Sequence, residues 1–92
     1  MPRAVLLTGY GPPEVLRPGE VEVGDPGPAQ IRVAVRFAGV GHTDLAIRAG
    51  HLKDAFPVAP GAVLGFEAAG VVDAVGAAVR DVHAGDGVAV TV

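Results

Sequence analysis

Glycine and proline interrupt this chain so often that only short regular elements fit between them. The 92 residues include 14 glycines and 8 prolines. Both residues are unfavourable inside helices, glycine because of its backbone entropy and proline because it has no N–H donor. A bundle of long helices is therefore excluded. The composition indicates a mainly β domain of short strands joined by tight turns, and a chain of this length has room for one domain.

Cysteine content, histidine spacing and charge exclude several classes of function. The chain contains no cysteine, so disulfide scaffolds, thiolate zinc sites and cysteine nucleophiles are ruled out. His42, His51 and His83 do not have the spacing of a metal-ligand pair. A net charge of −3 with scattered arginines argues against a nucleic-acid surface. We expect neither a bound metal nor a nucleic-acid partner.

Apolar stretches in the sequence are all short. None approaches the roughly 20 residues that a membrane helix needs. The apolar run at residues 4–7 is also too short for the core of a signal peptide. These features predict a soluble, cytoplasmic protein with no membrane partner.

Alternating apolar residues predict the strands. Ile31, Val33, Val35 and Phe37 fall on one side of an extended chain, which predicts a strand with one buried face. Alternation also predicts strands over residues 20–23 and 88–92, and apolar runs bounded by turn residues predict strands over 3–8 and 66–75. In the strand over 66–75, Gly70 indicates a bend, a bulge or the close approach of another backbone.

A different pattern follows residue 42. Residues 43–49 begin with capping residues and end before Gly50, which is typical of a short helix. Together with the strands, this predicts a curled sheet or partial barrel with one or two short helices.

The segment between Gly39 and Asp44 looks at first like a dinucleotide-binding fingerprint. It follows a predicted strand and opens a predicted helix, but Asp44 occupies the position of the third glycine. We therefore interpret it as an ordinary strand-to-helix turn. His42, Thr43 and Asp44 are still candidates for a proton relay, since imidazole titrates near neutral pH. The alternative is that Thr43 or Asp44 caps the helix and His42 is simply exposed.

Glu67 lies in the most apolar segment of the chain, residues 63–72. A carboxylate buried there would have to be paired, hydrogen-bonded or protonated, because burying it alone costs several kcal/mol. Such a group is functional or structurally fixed. The alternative is an edge position from which Glu67 reaches solvent.

Four motifs occur in a fixed order along the chain. They are GPPEVL at residues 11–16, AGVGHTDL at 38–45 with RAG at 48–50, LGFEAAGVV at 64–72 with VG at 75–76, and AGD at 84–86. This set resembles the N-terminal GroES-like domain of the medium-chain dehydrogenase/reductase superfamily, in particular its zinc-independent quinone oxidoreductase (zeta-crystallin-like) branch. The resemblance implies a GroES-like partial barrel over residues 1–92, incomplete at its C-terminal end, with the nucleotide-binding Rossmann domain absent.

The resemblance also implies roles for individual residues. In the zinc-dependent alcohol dehydrogenases of the superfamily, a cysteine and a histidine ligand stand where this chain has Gly41 and Phe66, so no zinc is expected. Gly41, Phe66 and Tyr10 are expected to contact the substrate. His42 matches a position near the cofactor phosphates, and Thr43 matches a hydroxyl of the proton relay. With Asp44 and Glu67, these two residues form the expected catalytic set.

The activity implied by the resemblance is the NADPH-dependent reduction of a quinone or of the C=C bond of an enone. The substrate would be a small hydrophobic carbonyl or quinone-like molecule. Because the cofactor domain is missing, this truncated chain is not expected to bind NADPH or transfer hydride alone. The partner would be that missing domain. The alternative is a stand-alone GroES-like protein that serves as a cofactor-free ligand-binding protein or acid/base catalyst and pairs with itself as a homodimer.

Overall fold

A computed structural model describes residues 2–91 of the chain. These residues form two compact units. The first unit consists of the described residues up to 23 together with residues 40–65, and the second consists of residues 24–39 together with the described residues after 65. Strands predominate, as expected for a mainly β domain. The elements are β1 (Arg3–Leu7), a 3-10 helix (Pro13–Val15), β2 (Leu16–Glu20), β3 (Ile31–Ala38), α1 (His42–Ala49), β4 (Ala62–Val63), β5 (Glu67–Val75) and β6 (Gly87–Thr91).

The first unit contains an antiparallel sheet in the order β2-β1-β4. Leu7 of β1 is fully buried and forms the centre of this unit's core. The strand predicted over residues 20–23 is wrong, because the observed strand β2 ends at Glu20. It contains Pro18, paired with Val5. Proline is tolerated there because β2 is an outer strand, where a missing N–H need not break the ladder.

Helix α1 also belongs to the first unit and confirms the helix predicted over residues 43–49. It ends at Gly50, whose φ of 89° is left-handed and whose N–H donates to the carbonyls of Ala46 and Ile47. Ile47 is buried. The helix thus has a fixed end and one residue anchored in the core.

The second unit contains an antiparallel sheet in the order β3-β5-β6, with the fully buried Val72 on the central strand. Gly70 lies in that strand, paired with Val35. A Cβ atom on Gly70 would collide with the carbonyl oxygen of Ala34. Of the three alternatives at Gly70, this contact confirms the close approach of another backbone.

Strand β3 is only partly buried on the face predicted to be apolar. Ile31 and Val33 are half-buried, whereas Val35 is 57 % exposed and Phe37 is 77 % exposed. The register with β5 shifts between Val35 and Phe37, where the paired residues on β5 are glycine and alanine. The expected continuous buried face is wrong, because small partners leave little apolar surface for the larger side chains to pack on.

Within residues 2–91, no helix has the length and hydropathy of a membrane span.

Candidate functional site

Asp44 fixes the start of helix α1. Its Oδ2 accepts a hydrogen bond from the N–H of Gly41 at 3.0 Å, and the residue is only 8 % exposed. Gly41 is the N-cap residue, with extended backbone and no side chain of its own. Asp44 therefore supplies the side-chain contact of an N-terminal cap, from the third position of the helix.

The other oxygen of this carboxylate has no donor. Asp44 Oδ1 is buried and has no hydrogen-bond partner among residues 2–91. A buried acceptor without a donor costs free energy relative to one in water. Any donor that reaches Oδ1, from water or from a ligand, would stabilise the carboxylate in this position.

His42 and Thr43 lie on the same helical turn as Asp44, and both are exposed. An imidazole and a hydroxyl side by side at the surface provide a proton donor and a relay group. The helix start thus brings together four of the predicted site residues, namely Gly41, His42, Thr43 and Asp44.

Tyr10 lies in a loop that is attached to the opposite end of α1. The N–H of Gly11 donates to the carbonyl of Arg48 at 2.9 Å, and the Arg48 Nη1 donates back to the carbonyl of Gly11 at 2.5 Å. The Tyr10 hydroxyl accepts from the N–H of Val58 at 3.1 Å. Since α1 has eight residues, the attachment lies about 10 Å along the helix from its start. Tyr10 is thereby held in place by two neighbouring segments.

The second unit holds the other two predicted site residues. Phe66 is half-buried and precedes Glu67, which is the first residue of β5 and is exposed. The N–H of Gly39 donates to the carbonyl of Glu67 at 3.1 Å. A Cβ atom on Gly39 would come within 2.6 Å of Glu67 Oε1, so the glutamate side chain lies across the glycine. Of the two alternatives for Glu67, the structure has the one that reaches solvent.

An open groove of about 470 Å³ lies at this end of the sheet. Its volume is within the range of small-molecule sites. Glu67 is the one charged residue of the lining, and Thr91 contributes a hydroxyl. The lining residues are Phe37, Ala38, Gly39, Glu67, Ala68, Ala69, Ala89, Val90 and Thr91.

Phe37 and the end of β6 line the groove but were not predicted as site residues. The signal that points to them is the run of small residues at 68–70, because small side chains at the centre of a sheet leave a depression between larger ones. Phe37 then stands at the rim of this depression instead of packing into a core.

Arg32 lies on β3 and is engaged by two acids. Its Nε donates to Asp73 Oδ1 at 2.7 Å, and its Nη1 lies 3.6 Å from Asp25 Oδ1. The hydrogen bond and the charge of Asp73 raise the pKa of Arg32 above its usual value, and Asp25 adds to the effect. This guanidinium is not among the residues that line the groove.

Within residues 2–91, no three side chains of histidine, aspartate or glutamate converge in a way that would hold a metal ion. The paired strands of both sheets are antiparallel throughout the same residues. A dinucleotide site is built on parallel strands joined by a helix, so residues 2–91 do not by themselves fit the NADPH that the sequence resemblance implies.

Comparison with known proteins identifies the family. Residues 27–92 match the model of the alcohol dehydrogenase GroES-like domain. The chain belongs to this family, within the medium-chain dehydrogenase/reductase superfamily. The resemblance found in the sequence is therefore confirmed.

Individual relatives agree with this assignment. A quinone oxidoreductase of Pseudomonas aeruginosa is 38 % identical over 97 % of the chain, and a 2-haloacrylate reductase of a Burkholderia species is 39 % identical over 94 %. The crystal structure of Escherichia coli quinone oxidoreductase complexed with NADPH superposes with a TM-score of 0.87, at 35 % identity over 96 % of the chain. The chain spans about a quarter of each of these proteins, 26 % in all three cases. The E. coli structure shares the fold of this chain, and residues 2–91 contain no parallel strand pair of the kind that a Rossmann domain needs.

Proposed function

We propose that this chain is the substrate-side domain of a zinc-independent, NADPH-dependent oxidoreductase that reduces a quinone or the C=C bond of an enone. The similarity to E. coli quinone oxidoreductase over 96 % of the chain carries this proposal. On this proposal, residues 1–92 belong to a GroES-like domain, and the protein acts in the cytoplasm. The domain binds the acceptor and does not transfer hydride alone, because a nicotinamide has to be positioned by the remainder of such an enzyme.

Room for the acceptor exists at the start of α1. A Cβ atom added to Gly41 would have no atom within 4 Å, so the backbone at this position borders open space. A flat quinone or enone can approach a glycine more closely than any other residue. In this proposal Gly41, with Phe66 and Tyr10, contacts the acceptor.

Proton delivery is the chemistry left to this domain. Reduction of a quinone adds two electrons and two protons, and the cofactor supplies a hydride when it is bound. The remaining proton has to reach the acceptor oxygen from a side chain or from water. His42 and Thr43 are exposed beside Gly41 and are the proposed donors, and His42 would also lie near the cofactor phosphates. Asp44 positions their turn through its bond to Gly41, and Glu67 is the second proposed carboxylate.

A chimera tests this proposal. The chain replaces the matched quarter of the P. aeruginosa quinone oxidoreductase, and NADPH oxidation is followed by absorbance with a quinone, with an enone and with an aldehyde plus zinc. We expect turnover with the first two and none with the aldehyde. We expect His42→Ala to lower kcat at least tenfold, whereas the exposed control Arg80→Gln leaves it unchanged. A folded chimera that binds NADPH but reduces neither acceptor contradicts the proposal.

The groove beside Glu67 favours a second candidate function, a cofactor-free ligand-binding protein or acid/base catalyst. Its apolar lining with one carboxylate suits a small apolar molecule that carries a hydrogen-bond donor. Titration of the chain alone with a hydroquinone, followed by NMR, would then shift the amides of residues 67–69 and 89–91. Ala69→Leu, which fills the groove, should abolish these shifts, whereas Ala77→Leu on an exposed turn should not. Shifts that persist in Ala69→Leu contradict this second function.

A further inference from the structure

Helix α1 is attached at its end to the loop that carries Tyr10. The last carbonyl groups of a helix have no partner inside it. That of Arg48 accepts a hydrogen bond from the N–H of Gly11 at 2.9 Å, whereas the two carbonyls before it accept from the N–H of Gly50. A group from a distant part of the sequence therefore completes the helix end.

The side chain of Arg48 makes a second bond to the same loop. Its Nη1 donates to the carbonyl of Gly11 at 2.5 Å, so both backbone groups of one glycine are bonded to one arginine. Arg48 is half-buried and forms no ion pair with a carboxylate of residues 2–91. A charged donor makes a stronger hydrogen bond to a carbonyl than a neutral one, and the C-terminus of a helix favours a cation. The guanidinium is thus placed to hold the loop, and not to neutralise an acid.

Tyr10, the neighbour of Gly11, is held at both ends of its side chain. A Cβ atom on Gly50 would come within 3.2 Å of Tyr10 Cβ and 3.4 Å of its Cγ, so the base of the side chain lies against the helix end. The hydroxyl accepts a hydrogen bond from the N–H of Val58 at 3.1 Å. The ring is 38 % exposed, yet these contacts give it a fixed orientation.

The two ends of α1 lie too far apart for one small ring to touch both. Arg48 is on the last turn, and the proposed proton donors are on the first. Since the helix has eight residues, its ends are roughly 10 Å apart, which exceeds the length of a single quinone ring. A molecule that meets Gly41 at the helix start therefore reaches Tyr10 only through a second ring or a chain.

We propose that Arg48 is a positioning residue, which holds Gly11 and thereby fixes Tyr10 as a contact for the part of the acceptor remote from its reacting bond. Arg48 itself neither touches the acceptor nor transfers a proton. An acceptor with a second ring or an apolar chain gains this contact, and a single-ring acceptor does not. The contact with the acceptor rests on the proposed function, whereas the attachment of Tyr10 does not.

Fluorescence tests the attachment without any activity. The chain contains one tyrosine and no tryptophan, so its tyrosine fluorescence comes from Tyr10 alone. Arg48→Gln removes the charged donor and should raise the rate constant of acrylamide quenching roughly twofold, because the loop is then free to leave the helix. Arg48→Lys keeps a charged donor and should restore most of the protection. Arg17→Gln, the same change at an exposed arginine of β2, is the matched control and should leave quenching unchanged, and thermal melts establish that each variant folds.

The chimera with the P. aeruginosa enzyme tests the contact with the acceptor. Arg48→Gln should raise KM at least tenfold for a naphthoquinone that carries an alkyl chain, with kcat changed less than twofold. For p-benzoquinone both constants should change less than twofold. A rise in KM at constant kcat is the effect of losing a contact that is equal in the ground state and the transition state. Arg48→Lys should recover most of the loss, and Arg17→Gln should change neither constant.

Two results would overturn the proposal. Equal quenching in Arg48→Gln and Arg17→Gln would show that Arg48 does not hold Tyr10. An equal effect of Arg48→Gln on KM for the two quinones, or none, would show that it does not position a remote contact. A folded chimera that reduces neither quinone contradicts the proposed function and the acceptor contact with it, whereas a difference in quenching would still establish the attachment.

Discussion

Asp44 and Glu67 are both carboxylates at the beginning of a regular element, yet their surroundings are opposite. Asp44 is 8 % exposed, with one oxygen bonded to the N–H of Gly41. Glu67 is exposed and lies across Gly39 at the rim of an apolar groove. The flanking sequence suggests the reverse, since Glu67 stands in the most apolar segment and Asp44 follows a histidine and a threonine. Burial of a carboxylate here follows its position on the backbone, and not the polarity of its neighbours in sequence.

The largest effect is expected at Asp44. Asp44→Ala removes the acceptor for the Gly41 N–H and should lower the free energy of unfolding by roughly 1–2 kcal/mol, with part of the loss offset because the unpartnered Oδ1 is also removed. Asp44→Asn keeps an acceptor oxygen and should lose less than half as much. Urea denaturation measures both.

Thr43→Ala is the control for this prediction, because Thr43 lies on the same turn and is exposed. Its cost should stay within about 0.5 kcal/mol. If Thr43→Ala and Asp44→Ala destabilise equally, the carboxylate does not fix the helix start and the contrast with Glu67 fails.

A smaller effect is expected at Gly39. A methyl group there would meet Glu67 Oε1 at 2.6 Å and Cγ at 2.7 Å, so Gly39→Ala should cost about 1 kcal/mol. Glu67→Ala alone should change stability by no more than about 0.5 kcal/mol, because the side chain is exposed.

The double variant tests the contact itself. Combining Gly39→Ala with Glu67→Ala should recover most of the loss, since neighbouring residues show non-additive free energies. Chemical denaturation of the four proteins gives the coupling. If Gly39→Ala lowers the free energy of unfolding as much in the Glu67→Ala background as in the natural chain, the glycine is required for another reason.

Asp73 provides a third carboxylate, exposed but paired with Arg32, and the smallest effect is expected there. Arg32→Gln removes its partner and should lower Tm slightly, by an amount that shrinks as salt is raised to about 0.5 M. Because the pKa of Arg32 is raised, the stability it contributes is present below its unfolded pKa and is lost only as the pH rises through the higher folded value. The Tm difference due to the arginine charge should therefore be flat between about pH 6 and 9. A difference that salt does not change would contradict an ion pair.

Strong local patterns predicted most of the fold. The alternation of apolar residues predicted the bounds of β3 and β6 to within a residue or two. The capping residues at the start of 43–49, together with Gly50 at its end, predicted helix α1. The error at β2 has a physical cause. Pro18 suggests a chain break, but its effect depends on whether the strand is an outer one, which is a property of the tertiary pairing.

The candidate site was predicted in part. His42 and Thr43 are exposed together on one helical turn, as their adjacency suggests. Phe37 and the end of β6 were not placed in the site, although the small residues at 68–70 indicate a depression. Which side chains border that depression depends on how β3 and β6 pair with β5, and the register of β3 shifts between Val35 and Phe37. Such a register shift depends on residues more than 30 positions apart, and no local pattern records it.

Small residues at the centre of the second sheet have a consequence for the proposed ligand groove. Ala68 and Ala69 line the groove with small side chains, while the backbone ladder of β5 is made by groups that every residue except proline provides. Replacing either alanine by valine would narrow the groove without removing a hydrogen bond. Which molecules this surface admits is therefore adjustable by single substitutions on one strand, and evolution can retune it without rebuilding the sheet.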